Sequence, residues 1–143
     1  MNKRYKVFTA INVFIYKLSR GRIGNKLGRQ SVLLLRTVGR KTGKIRTTSL
    51  SYYRDGENYL LVGSNWGEET HPAWFYNLKQ QPHTKIQVGS RTIEVDAHVA
   101  KGDEYLRMWQ LVTSLNNQYI QYQKDMLRRI PIVVLTPVVP QQN

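Results

Sequence analysis

Six short β-prone runs lie along this chain, and the segments joining the paired ones are too short for anything but hairpins. Ser31 to Thr37 and Arg46 to Tyr53 flank a turn at Gly39 to Lys44. Asp55-Gly56 then turns into Tyr59 to Val62. Lys85 to Val88 and Thr92 to Val99 flank Gly89-Ser90, and Ile132 to Leu135 follows ahead of Pro137. Parallel neighbours need a crossover of a dozen or more residues, so these turns dictate antiparallel pairing. Helical patterns fill the gaps. Val7, Ile11, Phe14 and Leu18 mark one face of a helix over 4–19. Pro72 opens a helix carrying Trp74, Phe75 and Leu78, which ends at Gln81 before Pro82. Leu106, Trp109 and Val112 or Thr113 mark a helix over 103–115; Asn116-Asn117 breaks it, and a shorter helix is expected over 119–129. The order is best satisfied by a mainly β fold with flanking helices, a six-stranded antiparallel barrel. We divide it into a basic helix and linker (1–29), a barrel domain (30–137) and a frayed tail (138–143).

Charge is distributed unevenly. The first 54 residues hold fourteen Lys or Arg and no acid; the remainder holds eight bases and nine acids, so the net +13 lies in the N-terminal third. Such a balance suits nucleic acid, an anionic membrane or an acidic small molecule. No RNP-like, helix-turn-helix or zinc pattern supports specific nucleic-acid binding. The N-terminal helix either packs on the domain or lies on anionic lipid, and Gly21, Gly24 and Gly28 loosen the chain after it. There is no apolar run of membrane-spanning length and no export-type hydrophobic region, so the expectation is a cytoplasmic protein, peripheral at most to the inner face of the membrane.

The chain has no cysteine, which removes disulfides and thiolate chemistry. His71, His83 and His98 are isolated, no phosphate-loop or dinucleotide motif is present, and no pair of carboxylates is poised for hydrolysis. An enzyme built this way would take its reactive group from a cofactor. Two segments could hold one. The turn Gly39-Arg40-Lys41-Thr42-Gly43-Lys44 and the following Arg46, Thr47 and Thr48 combine backbone N–H groups freed by glycine, cations and hydroxyls, suited to phosphate or carboxylate. In a strand, Arg46 and Thr48 share a face. The alternative is a solvated basic turn. The second segment runs from Gly63-Ser64-Asn65-Trp66-Gly67 to His71-Pro72-Ala73-Trp74-Phe75-Tyr76-Asn77. There, a polar loop leads to a helix start whose Trp74 would either flank a planar ring or fill the core.

These segments together resemble the deazaflavin-dependent nitroreductase family. The matching text is Leu33 to Arg46, Tyr53-Arg54-Asp55-Gly56, Gly63-Ser64, His71 to Lys79 and Ile130-Pro131-Ile132-Val133-Val134. The resemblance implies a split β-barrel and the coenzyme F-420, whose phosphodiester and oligoglutamate tail need a basic groove. By position it implies Arg40, Lys41, Thr42 and Arg46 as phosphate and tail contacts, with Thr47, Thr48, Ser49, Leu50 and Ser51 along the ring edge. Val62, Gly63, Ser64 and Asn65 would hold the other side, and Ala73, Trp74, Phe75, Tyr76 and Asn77 would close the pocket. Ser51, Trp66, Tyr119 and Tyr122 would face the acceptor, with Ser64 and Tyr119 as hydrogen-bond or proton donors. The implied reaction is hydride transfer from reduced F-420 to a quinone, nitroaromatic or activated alkene, and barrels of this type often form homodimers. Alternative occupants are FMN, or a fatty acid in a catalytically silent carrier. The rival from another class is a nucleic-acid or anionic-surface binding module. Asn65-Trp66 stands where the family often carries Lys-Gly, and Thr48-Ser49 where it often carries Asn-Pro.

Overall fold

The computed structural model describes residues 12–21, 26–27 and 30–139, with the backbone alone for residues 26, 27 and 30. Helical residues 12–18 (α1) precede β1 (Lys26–Leu27), β2 (Gln30–Val38), β3 (Ile45–Ser51), β4 (Tyr53–Asp55) and β5 (Asn58–Val62). A 3-10 turn at Asn65–Gly67 leads to α2 (Ala73–Gln80), then β6 (His83–Val88), β7 (Arg91–Val99), α3 (Gly102–Leu115), α4 (Gln118–Lys124) and β8 (Ile132–Pro137). All pairings are antiparallel, in the order β3-β2-β6-β7-β8-β5-β4, with the short β1 also on β2.

The two ends of this order, β3 and β4, are consecutive in the chain, separated only by Tyr52. The run expected as one strand from Arg46 to Tyr53 is therefore bent, and the bend curls the sheet into a split barrel. Tyr52 donates its N–H to Ser31 O at 3.0 Å and sets its ring edge-on to Tyr59. Eight strand segments thus replace the expected six: one strand is divided at Tyr52, and part of the expected linker pairs as β1. The last strand is an interior one, bonded to β5 on one side and β7 on the other.

Alternation divides β2, β5 and β8 between an inner and an outer core. Leu33, Leu35, Tyr59, Leu61, Val133 and Leu135 point inward, where Trp74, Phe75 and Leu78 of α2 meet them. Leu60, Ile132 and Val134 point outward beneath α3 and α4, packed with Tyr105, Met108, Val112 and Tyr119. Val32 and Leu34 lie outward beneath Tyr16 and Val13 of α1. Both faces of these three strands are covered, which is why they read as Leu and Val runs, whereas β6 and β7 alternate with exposed polar residues.

Two expected helix faces are corrected. On α3 the expected Val112 is buried and Trp109 packs half-buried beside it, but Tyr105 and Met108 fill the rest of the contact and Leu106 is exposed. The face is rotated about one residue because an aromatic and a thioether fill the space between α3 and the sheet. On α1, Phe14 and Leu18 are 66% and 75% exposed, and the helix docks instead through Tyr16. The Tyr16 hydroxyl donates to Gln87 O at 3.2 Å and accepts from the Gly89 N–H at 2.7 Å. Val7 and Ile11 lie outside the described residues. The helix expected over 119–129 stops at Lys124, where Gln123 caps the outgoing segment through Arg128 O and Ile130 N.

Candidate functional site

The β2–β3 turn is built by its own hydrogen bonds. The Gly39 N–H donates to Lys44 O and the Gly43 N–H to Gly39 O, both at 2.7 Å; Lys44 N–H donates to Thr42 Oγ1 at 3.2 Å. Gly43 has φ +72°, a left-handed position that glycine takes without cost. The turn is then tied to α2. Asn77 is buried, and its Oδ1 accepts the Arg40 N–H at 3.1 Å while its Nδ2 donates to Thr37 Oγ1 at 3.2 Å. The Arg40 guanidinium lies over the Tyr76 ring at 4.8 Å. Arg46 sits across from Thr37 in the ladder, so it shares this corner. The side chains of Arg40, Lys41, Lys44 and Arg46 are exposed and have no carboxylate partner among the described residues. Cations fixed on a rigid turn and unneutralised by the protein fit a ligand bearing phosphate and carboxylates.

Register separates the residues expected along the ring edge. Thr48 and Leu50 pair with Leu35 and Leu33 and so face inward with Arg46. Thr47, Ser49 and Ser51 pair with Arg36, Leu34 and Val32, on the face that α1 covers. Lys17 Nζ donates to Thr47 Oγ1 at 3.5 Å, and Asn12 Nδ2 donates to Ser49 Oγ. A period of two cannot bring five consecutive strand residues to one ligand.

Across the barrel, β5 ends at Val62, and Gly63-Ser64 begins a strained loop. Asn65, Trp66 and Gly67 have φ of 50°, 59° and 84°, three left-handed residues in succession. Gly63 donates to Pro131 O at 2.8 Å, and a Cβ at Gly63 would meet the Pro131 ring at 2.7 Å. The Tyr122 ring packs against Gly67, where a Cβ would come within 2.8 Å. Trp66 is half exposed beside it. Tyr119 is directed elsewhere: it is buried in the outer core, and its hydroxyl meets that of Tyr53 at 3.0 Å. Burial, followed by the Tyr53 bond, pushes its pKa far upward.

On α2, Ala73 and Tyr76 are exposed, whereas Trp74, Phe75 and Asn77 are buried. Trp74 is a wall of the inner core, and Asn77 is the fastening of the cationic turn. A groove of about 440 Å³ lies on the other flank of α2, lined by Phe75, Leu78, Ala97, Val99 and Val133 with Lys79 and Lys101. Phe75 alone among the expected cofactor residues touches it.

One residue that holds the Gly63–His71 loop escaped the sequence reading. Arg128 reaches from the segment before β8 into the Gly63–His71 loop, bonding to Gly63 O, Ser64 O, Glu68 O and His71 Nδ1. Burial, then the charges of Arg128 and Lys79, depress the His71 pKa.

Comparison with known proteins accords with this geometry. The family profile described as F420H(2)-dependent quinone reductase matches residues 8–137. An F420H(2)-dependent quinone reductase of Mycobacterium tuberculosis is 44% identical over 126 residues, covering 85% of each chain. Among solved structures, an F420-H2 dependent reductase, FDR-A, superposes with a TM-score of 0.67 at 30% identity, covering 73% of this chain and 92% of that one. A domain-swapped dimer superposes with a TM-score of 0.70 at 28% identity, covering 88% and 96%. The split barrel is thus that of a family of oxidoreductases, and the chain belongs to the F420H(2)-dependent quinone reductase family.

Proposed function

We propose that this protein reduces a quinone with reduced coenzyme F-420, and that the turn at Arg40 to Arg46 is its anion-binding end. The observation that carries the reading is the set of unneutralised cations held on a turn fixed by Asn77. When bound, the coenzyme supplies a hydride; a quinone taking that hydride and one proton becomes a hydroquinone. The protein's part is orientation and charge stabilisation. Arg40, Lys41 and Arg46 hold phosphate and tail carboxylates; Thr48 and Leu50, on the same face as Arg46, lie along the ring. Ser64, whose hydroxyl forms no bond within the described residues, is the donor available to oxygen at the ring or the acceptor. Tyr119 acts through packing, since its hydroxyl is taken by Tyr53.

FMN offers a phosphate without a glutamate tail and leaves more of these cations unused, so F-420 is the better fit. Arg46→Ala or Lys41→Ala should each weaken F-420 binding by about 1–3 kcal/mol, the range for a charge-assisted bond, with the fold retained. Fluorescence titration of F-420 measures this. Unchanged affinity in both variants would remove the turn as the anion site, and tighter binding of FMN than of F-420 would overturn the coenzyme.

The outward Phe14 and Leu18, beside Lys17, favour a second element of the reading: α1 rests on an anionic membrane, where quinones dissolve. No helix among the described residues is long and apolar enough to span one.

A further inference from the structure

The turn at Asn65, Trp66 and Gly67 is unusual in placing two residues other than glycine in the left-handed region. Asn tolerates this region, but for Trp66 it brings Cβ too close to the following carbonyl oxygen. A conformation of this kind persists only where its surroundings over-determine it. Within the turn, Gly67 N–H donates to Ser64 O at 3.0 Å and Glu68 N–H to Asn65 O at 3.1 Å, and the Asn65 side chain donates from Nδ2 to Thr70 O at 2.9 Å; none of these ties the turn to the segment before β8.

We infer that Arg128 is the positioning residue that staples this turn shut and so fixes Ser64 at the site. The guanidinium has five N–H groups in a rigid plane, and every one is used. Nη1 donates to Gly63 O and His71 Nδ1, each at 3.0 Å. Nη2 donates to Ser64 O at 2.9 Å and Glu68 O at 2.8 Å, and Nε donates to Glu68 O at 3.0 Å. Ser64 and Glu68 bracket the three left-handed residues, so one side chain grips the main chain immediately before and after the strained stretch. Because guanidinium only donates, His71 must present a lone pair at Nδ1 and carry its proton on Nε2. The staple is itself anchored. Gln123 Nε2 donates to Arg128 O at 2.8 Å, and Leu127 N–H donates to the Glu69 carboxylate at 3.0 Å. Lysine has the charge but only one nitrogen, and cannot span from Gly63 to Glu68.

The catalytic part of this inference rests on the reductase reading; the mechanical part does not, and the test separates them. Arg128→Lys is compared with the parent by hydrogen exchange at the Gly67 and Glu68 amides, by F-420 titration, and by turnover of menadione with reduced F-420. The expected result is faster exchange at both amides, coenzyme affinity within about threefold because the anion site is elsewhere, and turnover reduced by up to about a hundredfold from misplacement at the mouth. Arg128→Gly is tested in parallel with added methylguanidinium, which should slow the exchange again and restore turnover. Unchanged exchange in the lysine variant, or no response of the glycine variant to methylguanidinium, would overturn the staple. Faster exchange with undiminished turnover would overturn its role in positioning Ser64. If the parent protein reduces no quinone with F-420, the reductase reading fails, and the exchange data alone decide the staple.

Discussion

Asn77 never needs to touch a ligand to control binding of one. Its amide is 4% exposed and joins α2 to the cationic turn through two hydrogen bonds, Arg40 N–H at 3.1 Å and Thr37 Oγ1 at 3.2 Å. Asn77→Ala deletes both. The Arg40 amide can turn to water, but Thr37 is 2% exposed and its oxygen loses its donor in a dry corner. Two net bonds at about 0.5–1.5 kcal/mol each give about 1–3 kcal/mol of lost stability. With a urea slope of about 2 kcal/mol per molar, the midpoint should fall by about 0.5–1.5 M. The turn, released at one end, must then be ordered by the ligand, so F-420 affinity should fall by several-fold while the cations themselves remain. Asn77→Asp tests the geometry: it keeps the acceptor for Arg40, and the Thr37 hydroxyl can rotate to donate, so turn order should be retained. Urea melts, coenzyme titration and amide exchange at Arg40 and Gly43 measure the three effects. If Asn77→Ala leaves exchange and affinity at the turn as in the parent, the fastening does not act as argued.

Two further outcomes follow from burial and charge. Phe14→Ser with Leu18→Ser should change stability by under about 0.5 kcal/mol, as exposed substitutions do, yet remove sedimentation with vesicles containing phosphatidylserine; retained sedimentation would refute the lipid-facing role of α1. The depressed His71 pKa sets a pH dependence: the unfolded chain takes a proton near the usual value of about 6.5 and the folded chain resists it. Its contribution is therefore complete above that value and declines as pH falls towards the folded pKa. Urea midpoints between pH 8 and 5 should fall more in the parent than in His71→Gln, which can still accept from Arg128 but does not titrate; equal slopes would refute the linkage.

Most of the barrel was legible because turns announce themselves. Gly39 and Gly43, Asp55-Gly56 and Gly89-Ser90 sit where the hairpins turn, and Pro72 and Pro82 bracket α2. The bend at Tyr52 was not legible, since nothing in Thr-Ser-Leu-Ser-Tyr-Tyr departs from a continuing strand; closure of the sheet demands it. The α3 face was misread because Leu outranked Tyr and Met on hydrophobicity, whereas the space between α3 and the sheet selected for reach. At the candidate site, a run of matched residues from Thr47 to Ser51 concealed the alternation that divides them between the inward face and α1. Arg128 carried no signal at all. All its partners but the His71 ring are main-chain oxygens, which have no letter in a sequence, and they lie about sixty residues away in a chain whose basic residues otherwise suggest solvent or polyanion.

The position of β8 between β5 and β7 bears on how the protein is made. At about 5–20 residues per second of synthesis, the edge of β5 must wait several seconds for its neighbour, which is encoded about 70 residues later. During that interval the apolar edge of β5, joined after residue 99 by that of β7, stands open to any stray strand. Assembly must therefore be governed by the arrival of Ile132–Pro137, and a ribosome stalled shortly before that segment would leave a nascent chain that chaperones have to shield.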